Sequence, residues 1–325
     1  MFDLRRREFI ALLGSAATWP ITASAQQPVI GYFSGRSAET EAPLLVAFRQ
    51  GLEEANYTVG KNVAVEFRFS DGQDDRLPAL AADLVRRQVA VLVATDRPSA
   101  LVAKAATATI PVVFAYGGDP VEEGLVASLN RPSGNLTGVG IFTIGLGPKR
   151  LGLLRELVPS ARLIAFFVNP SSGAAALQVK ELQTAARAVG QEILVLNAGT
   201  EGEINQAFAT LVQRKVGAIL YSANLFFQVV RDQLVALAAH HSIPAMYEWR
   251  EFVTAGGLIS YNTDRTEAWR QVGAYTGRIL KGTKPADMPV VQSTKFELVI
   301  NLKTAKALRI EVPPTLLARA DEVIE

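Results

Sequence analysis

Nine side chains carry most of the binding chemistry this sequence offers. They are Ser34, Thr95, Tyr116 and Asp119 in the first half, and Asn169, Ser222, Tyr247, Glu248 and Tyr261 in the second. Each half presents hydroxyls or amides and then an aromatic residue close to a carboxylate. Hydroxyls and amides near helix N-termini hold a carboxylate, whereas Asp119 or Glu248 pairs with an ammonium. Tyr32, Tyr116, Tyr247, Trp249 and Tyr261 are suited to sandwiching an apolar or aromatic portion. A plainer reading stands beside this one. Ser, Thr and Asn after a strand also serve as helix caps and turn formers, Asp119-Pro120 reads as a helix start, and Tyr32 suits a core.

Catalytic patterns are missing from the sequence. Its two histidines, His240 and His241, are adjacent, so on a helix they do not share a face for one metal. There is no cysteine and no H-E-x-x-H. Gly31-Tyr32-Phe33-Ser34-Gly35 misses the spacing of G-x-S-x-G, and no G-x-x-x-x-G-K-[ST] loop occurs. Gly138-Val139-Gly140 and Gly145-Leu146-Gly147 do not complete G-x-G-x-x-G. The residues therefore point to holding a molecule rather than converting it, with no cofactor expected.

The elements that must position these side chains alternate between strand and helix. Val29 to Phe33 reads as a buried strand, and Leu44, Leu45, Phe48 and Leu52 as a helix with Pro43 near its start. Val63 to Phe69 alternates as a strand, and Asp74 or Asp75 caps a helix faced by Leu77, Leu80, Leu84 and Val85. Residues 90–94, 99–108 and 112–115 follow as strand, helix and strand. The pattern then recurs, with strands at 163–168, 193–196, 218–221 and 243–247 and helices at 174–189, 203–212 and 229–239. A long helix is predicted from Asp264 to Lys281, and a late strand from Phe296 to Ile300.

Two such units predict an α/β fold of two doubly wound parallel-sheet lobes, joined by a multi-strand hinge. The first lobe is expected over 26–141 plus 258–290, and the second over 142–257 plus 291–325. In such sheets a ligand sits beyond the carboxyl ends of the strands, which is the rule that selects Ser34, Thr95, Asn169, Ser222 and their neighbours Ser70 and Asn197.

The N-terminus reads as an export signal over residues 1–25. Arg5 to Arg7 precede an apolar stretch from Phe9, and Ala23-Ser24-Ala25 supplies a cleavage pattern. Arg6-Arg7-Glu8-Phe9-Ile10 also fits a twin-arginine signal. The chain has 33 Lys+Arg and 31 Asp+Glu; without three basic and two acidic residues of the signal, 30 face 29. That balance favours neither nucleic acid nor a membrane surface as partner. The absence of cysteine excludes a lipid on an N-terminal cysteine, so the expected product is soluble, periplasmic and monomeric.

Four strings carry a family resemblance: residues 111–121 (PVVFAYGGDPV), 124–132 (GLVASLNRP), 244–252 (PAMYEWREF) and 295–308 (KFELVINLKTAKAL). Through them the chain resembles the ABC-transporter substrate-binding family of the TrpX-like, aromatic amino acid type, over nearly its whole length. The resemblance implies a type I periplasmic-binding-protein fold with two lobes and three crossings that closes like a flytrap. It also implies a small polar ligand such as an aromatic or branched amino acid, and an ABC permease and ATPase as partners. Ser34, Thr95, Asp119, Asn169, Ser222 and Glu248 match its strand-end contacts. A sensor for a membrane signalling partner shares this fold, and a periplasmic hydrolase is the remoter alternative. A ligand-responsive repressor would need a DNA-binding head where this chain carries its signal.

Overall fold

The computed structural model describes residues 27–325, and the expected signal at 1–25 lies outside them. The first five strands are β1 (Val29–Ser34), β2 (Ala64–Phe69), β3 (Val91–Ala94), β4 (Val112–Tyr116) and β5 (Leu136–Gly140). β1, β3 and β4 are apolar almost throughout and buried almost throughout, as strands covered by helices on both faces must be. The next five are β6 (Leu163–Val168), β7 (Glu192–Asn197), β8 (Ala218–Tyr221), β9 (Ala245–Tyr247) and β10 (Ile259–Thr263). β11 (Val291–Gln292), β12 (Phe296–Asn301) and β13 (Glu322–Ile324) complete the set.

Two sheets result. The first runs β11-β5-β4-β3-β1-β2 and is wholly parallel; the second runs β13-β12-β10-β9-β8-β6-β7, with β12 antiparallel to β10. Strand order reverses between β1 and β3 in the first sheet and between β6 and β8 in the second. Each reversal opens a crevice at the carboxyl ends of its strands, because the two following connections leave on opposite faces.

Sheet membership differs from expectation at two places. β10, expected with the first lobe from residue 258 onward, pairs with β9 and β12 in the second sheet. β11, expected with the second lobe, pairs with β5 in the first sheet. The chain thus crosses after β5, after β10, and between β11 and β12. These crossings are bonded side by side. Thr263 Oγ1 donates to the Ile141 carbonyl at 2.6 Å, Ser293 N to Gly140 O at 2.9 Å, and Asp264 N to Lys295 O at 2.9 Å.

Helix starts also moved where a cap outweighed a proline or an acid. The first helix begins at Ala38, capped by Ser37, whose Oγ accepts from Thr40 N, so Pro43 lies inside it and costs a single bond. Asp74 and Asp75 form a short 3-10 turn instead of a cap, and the helix Leu77–Arg86 starts without a side-chain cap. The helix Arg97–Ala106 starts two residues early because Asp96 and Ser99 form a reciprocal capping box. Asp264 caps the helix Arg265–Leu280 through Thr266 N at 2.9 Å.

That last helix lies against Ala38–Glu54 at close range, made possible by glycines. A Cβ at Gly51 would stand 1.8 Å from Arg270 O, and one at Gly273 would stand 2.1 Å from Phe48 O. Gly273→Ala must therefore separate the two backbones. A loss of roughly 2–3 kcal/mol is expected, read as a lower urea midpoint at unchanged slope. Among the described residues, no helix is long and apolar enough to cross a membrane.

Candidate ligand-binding site

The two crevices face each other across one cavity of about 610 Å³. Loops from both switch points line it: Arg36 after β1 and Asp96 after β3, Asn169 after β6 and Asn224 after β8. At the rim the lobes nearly touch. A side chain added at Gly35 would come within 3.0 Å of Leu225 Cδ1, and one at Gly72 within 3.7 Å of Val229 Cγ2.

On the first lobe a buried charge network fixes the wall. Glu41 is fully buried and its Oε1 accepts from Arg36 at 2.8 Å, Ser34 Oγ at 3.0 Å and Thr95 Oγ1 at 3.2 Å. Its Oε2 accepts from Tyr32 OH at 2.5 Å, and Trp269 Nε1 donates to that same hydroxyl at 2.8 Å. Burial opposes the charge on Arg36, but the Glu41 and Asp96 carboxylates outweigh it and hold the guanidinium above its ordinary value. Arg36 also donates to the Thr95 carbonyl at 2.8 Å and lies over the Trp269 ring at 5.4 Å. Asp96 accepts from Gly35 N at 2.6 Å and Ser34 Oγ at 3.1 Å while capping the helix behind it.

The second lobe is assembled differently. Gln178 clamps the loop after β8 through both atoms of its amide, bonding Ala223 N at 2.6 Å and Ala223 O at 3.1 Å. Asn224 caps the short helix Leu225–Val229 and accepts from Asn169 Nδ2 at 3.1 Å. Glu248 lines the cavity at 4% exposure. Desolvation lifts its carboxyl to about 7, against the pull of Arg150, Arg265 and Arg36. Next to it Trp249 packs under the Arg265 guanidinium, 4.0 Å from the ring centre, and Arg265 is itself paired with Glu251. Arg150 is buried beneath the crossing and donates to Thr143 O at 2.7 Å; burial pushes its guanidinium down, with Glu248 opposing.

Of the nine residues singled out in the sequence, Asn169 and Glu248 line the cavity. Ser34 and Thr95 sit one layer behind it as members of the Glu41 network, and Ser222 is buried at the end of β8. Tyr116 packs on Phe114 in the first core, where burial raises its hydroxyl. Tyr247 stacks between Tyr221 and Phe252 in the second. Asp119 accepts from Val121 N and Glu122 N in a turn outside the cavity lining, and Tyr261 stacks on Phe296 in the second sheet. Arg36, Asp96, Thr143 and Asn224 line the cavity and were not singled out. Three of them lie one or two residues beyond a named position, which was the available signal. Among the described residues no group of three or more His, Cys, Asp or Glu is placed to hold a metal.

The chain is similar to known proteins in sequence and in fold. The chain is 28% identical over 264 residues to the tyrosine-binding protein of Clostridioides difficile strain R20291, covering 81% of this chain and 76% of that protein. Among solved structures, it is similar to the ABC domain in complex with L-Trp from Streptococcus pneumonia. That similarity has a TM-score of 0.83 and 26% identity, covering 92% of this chain and all of that one. A conserved domain protein of Vibrio cholerae gives a TM-score of 0.82 at 25% identity, with the same coverage. The fold is that of the two-lobe type I periplasmic binding proteins. With residues 43–324 matching the family model described as ABC transporter substrate binding protein, the chain belongs to that family.

Proposed function

We propose that the chain is the exported, periplasmic receptor of an ABC importer and captures an amino acid with a large apolar side chain of the aromatic type. The cavity carries this reading: its wall joins acids to apolar surface around one space between the lobes. Leu77, Leu101, Ile144, Phe226 and Trp249 supply the apolar part. Asp74, Asp75 and Glu248 supply the acids. Arg97 is engaged by Glu123 and Arg36 by Glu41, so the uncommitted charge on the wall is negative and suits an ammonium. The volume lies within the range of about 300–1,000 Å³ common for small-molecule sites. A relative named for tyrosine and a similar structure holding L-Trp support an aromatic side chain.

Export rests on the paired arginines, apolar stretch and A-x-A pattern of residues 1–25, with the twin-arginine route favoured by Arg6-Arg7-Glu8-Phe9-Ile10. A monomeric receptor would then deliver its ligand to a permease driven by an ATPase. Thermal denaturation tests the binding reading. L-tryptophan, L-tyrosine or L-phenylalanine at about 100 times its dissociation constant should stabilise the protein by about 2.7 kcal/mol. Folded protein whose midpoint is unmoved by all three would overturn the ligand class.

A further inference from the structure

One buried side chain reaches from the first lobe into the second and grips the cavity wall from behind. Arg265 is the first residue of the helix Arg265–Leu280, which packs on the first lobe, yet its guanidinium partners all belong to the second. Nη2 donates to Glu251 Oε1 and Nη1 to Gln228 Oε1 at 3.3 Å, while the guanidinium covers the Trp249 ring. Gln228 and Trp249 line the cavity; Arg265 and Glu251 do not. Among the described residues, these are the only bonds between side chains that join the lobes outside the crossings.

The three partners come from separate pieces of the second lobe. Gln228 belongs to the helix Leu225–Val229, Trp249 follows β9, and Glu251 lies in the helix Arg250–Thr254. Leu225 and Val229, on the same short helix as Gln228, face Gly35 and Gly72 across the rim. Those rim contacts are apolar and set no direction, whereas a planar guanidinium fork with a ring stacked beneath it fixes both distance and orientation. Its backbone is fixed too, because Asp264 is bonded to Lys295 of the neighbouring crossing through its N–H and its carboxylate. A rotation that parted the lobes would draw the guanidinium away from Gln228 and Glu251 together and uncover the indole face.

We propose that Arg265 is the positioning residue that latches the closed cavity, holding Trp249 and Gln228 of the second lobe against the first. The proposal rests on the receptor reading above and adds to it what keeps the wall assembled. The chain has no cysteine, so Val46→Cys on the first lobe and Val212→Cys on the second, both exposed, take spin labels at known places. Pulsed electron paramagnetic resonance then reads the distance between the lobes, with and without L-tryptophan, in labelled protein otherwise wild type, carrying Arg265→Met or carrying Glu251→Gln. A thermal midpoint checks that each is folded, and Glu251→Gln, which keeps an acceptor and loses the charge, carries the comparison if Arg265→Met is not.

Arg265→Met should shift and broaden the distance distribution, with Glu251→Gln intermediate. In stopped flow L-tryptophan should leave Arg265→Met roughly tenfold faster or more, with association within about twofold of wild type, because a latch acts on the closed complex. Distances that superimpose on wild type in both conditions, or a loss of affinity lying wholly in association, overturn the latch while the amino-acid reading stands. Wild-type protein that does not bind L-tryptophan counts against that reading instead, and the distances without ligand then decide the latch by themselves.

Discussion

Glu41→Ala is expected to destabilise the protein by about 3–5 kcal/mol, the effect of stripping a buried charge of its partner. Glu41 is fully buried and satisfies four donors at once, from Tyr32, Ser34, Arg36 and Thr95. Removing it leaves the Arg36 guanidinium inside the first lobe with its ion pair gone. Against a typical total of about 5–15 kcal/mol, little would remain. The measurement is a urea titration, with Glu41→Gln as the intermediate case because it keeps an acceptor and loses the charge. Arg36→Met combined with Glu41→Met removes both charges and should recover much of the stability, since a buried pair is replaced by apolar contacts. Ligand binding should not recover, because Arg36 is part of the cavity wall. A double variant as unstable as Glu41→Ala would show that the network acts through shape rather than charge.

Glu248→Gln should move stability and binding in opposite directions. The carboxyl lies at about 7 in the folded protein, raised by desolvation, and near 4.5 when unfolded. Between those values the folded state holds more protons than the unfolded one, so stability falls as pH rises through that window. Above about pH 7 the full penalty applies, on the order of 3 kcal/mol, and below about pH 4.5 it vanishes. Glutamine carries no such penalty, so the variant should exceed wild type in urea at pH 8 and converge with it near pH 5. An ammonium placed against the ionised carboxylate reverses the balance. Wild-type affinity for an amino acid should rise from pH 6 to pH 8, and Glu248→Gln should be weaker by about 2–5 kcal/mol and flat with pH. Equal affinities at pH 8 would remove Glu248 from the site.

The alternation of strand and helix was plain in the sequence, because buried parallel strands such as Val91–Ala94 leave unbroken apolar runs. It also pointed to the carboxyl ends of the strands, where the loops that line the cavity begin. What it missed was depth. Thr95 and Ser222 follow their strands, yet their backbone nitrogens still bond the neighbouring strand, at Phe33 O and Phe167 O, so they remain in the sheet layer. The wall is built one or two residues later, by Asp96, Asn224 and, beyond Ser34, Arg36. Trp249 was included among the aromatics, but its partner Arg265 is 16 residues further on, and no local spacing announces such a contact. Thr143 lies in a crossing whose path depends on the second sheet. The domain limits failed for a similar reason: β10 and β11 are short, and only their pairing partners show to which sheet each belongs.

The placement of the helix Arg265–Leu280 against the first sheet has a consequence for how the chain is made. Trp269 is fully buried against first-lobe core residues such as Tyr32 and Phe48, which are synthesised more than 200 residues earlier. The edge strand β11 arrives later still. The N-terminal lobe therefore cannot mature while its own first segment is leaving the ribosome; it waits, with an unsealed face, until the second lobe has been translated. At about 5–20 residues per second that interval lasts roughly 10 seconds or more. For this molecule the order of synthesis and the order of completion run in opposite senses, and a holding chaperone would find its target in the lobe made first.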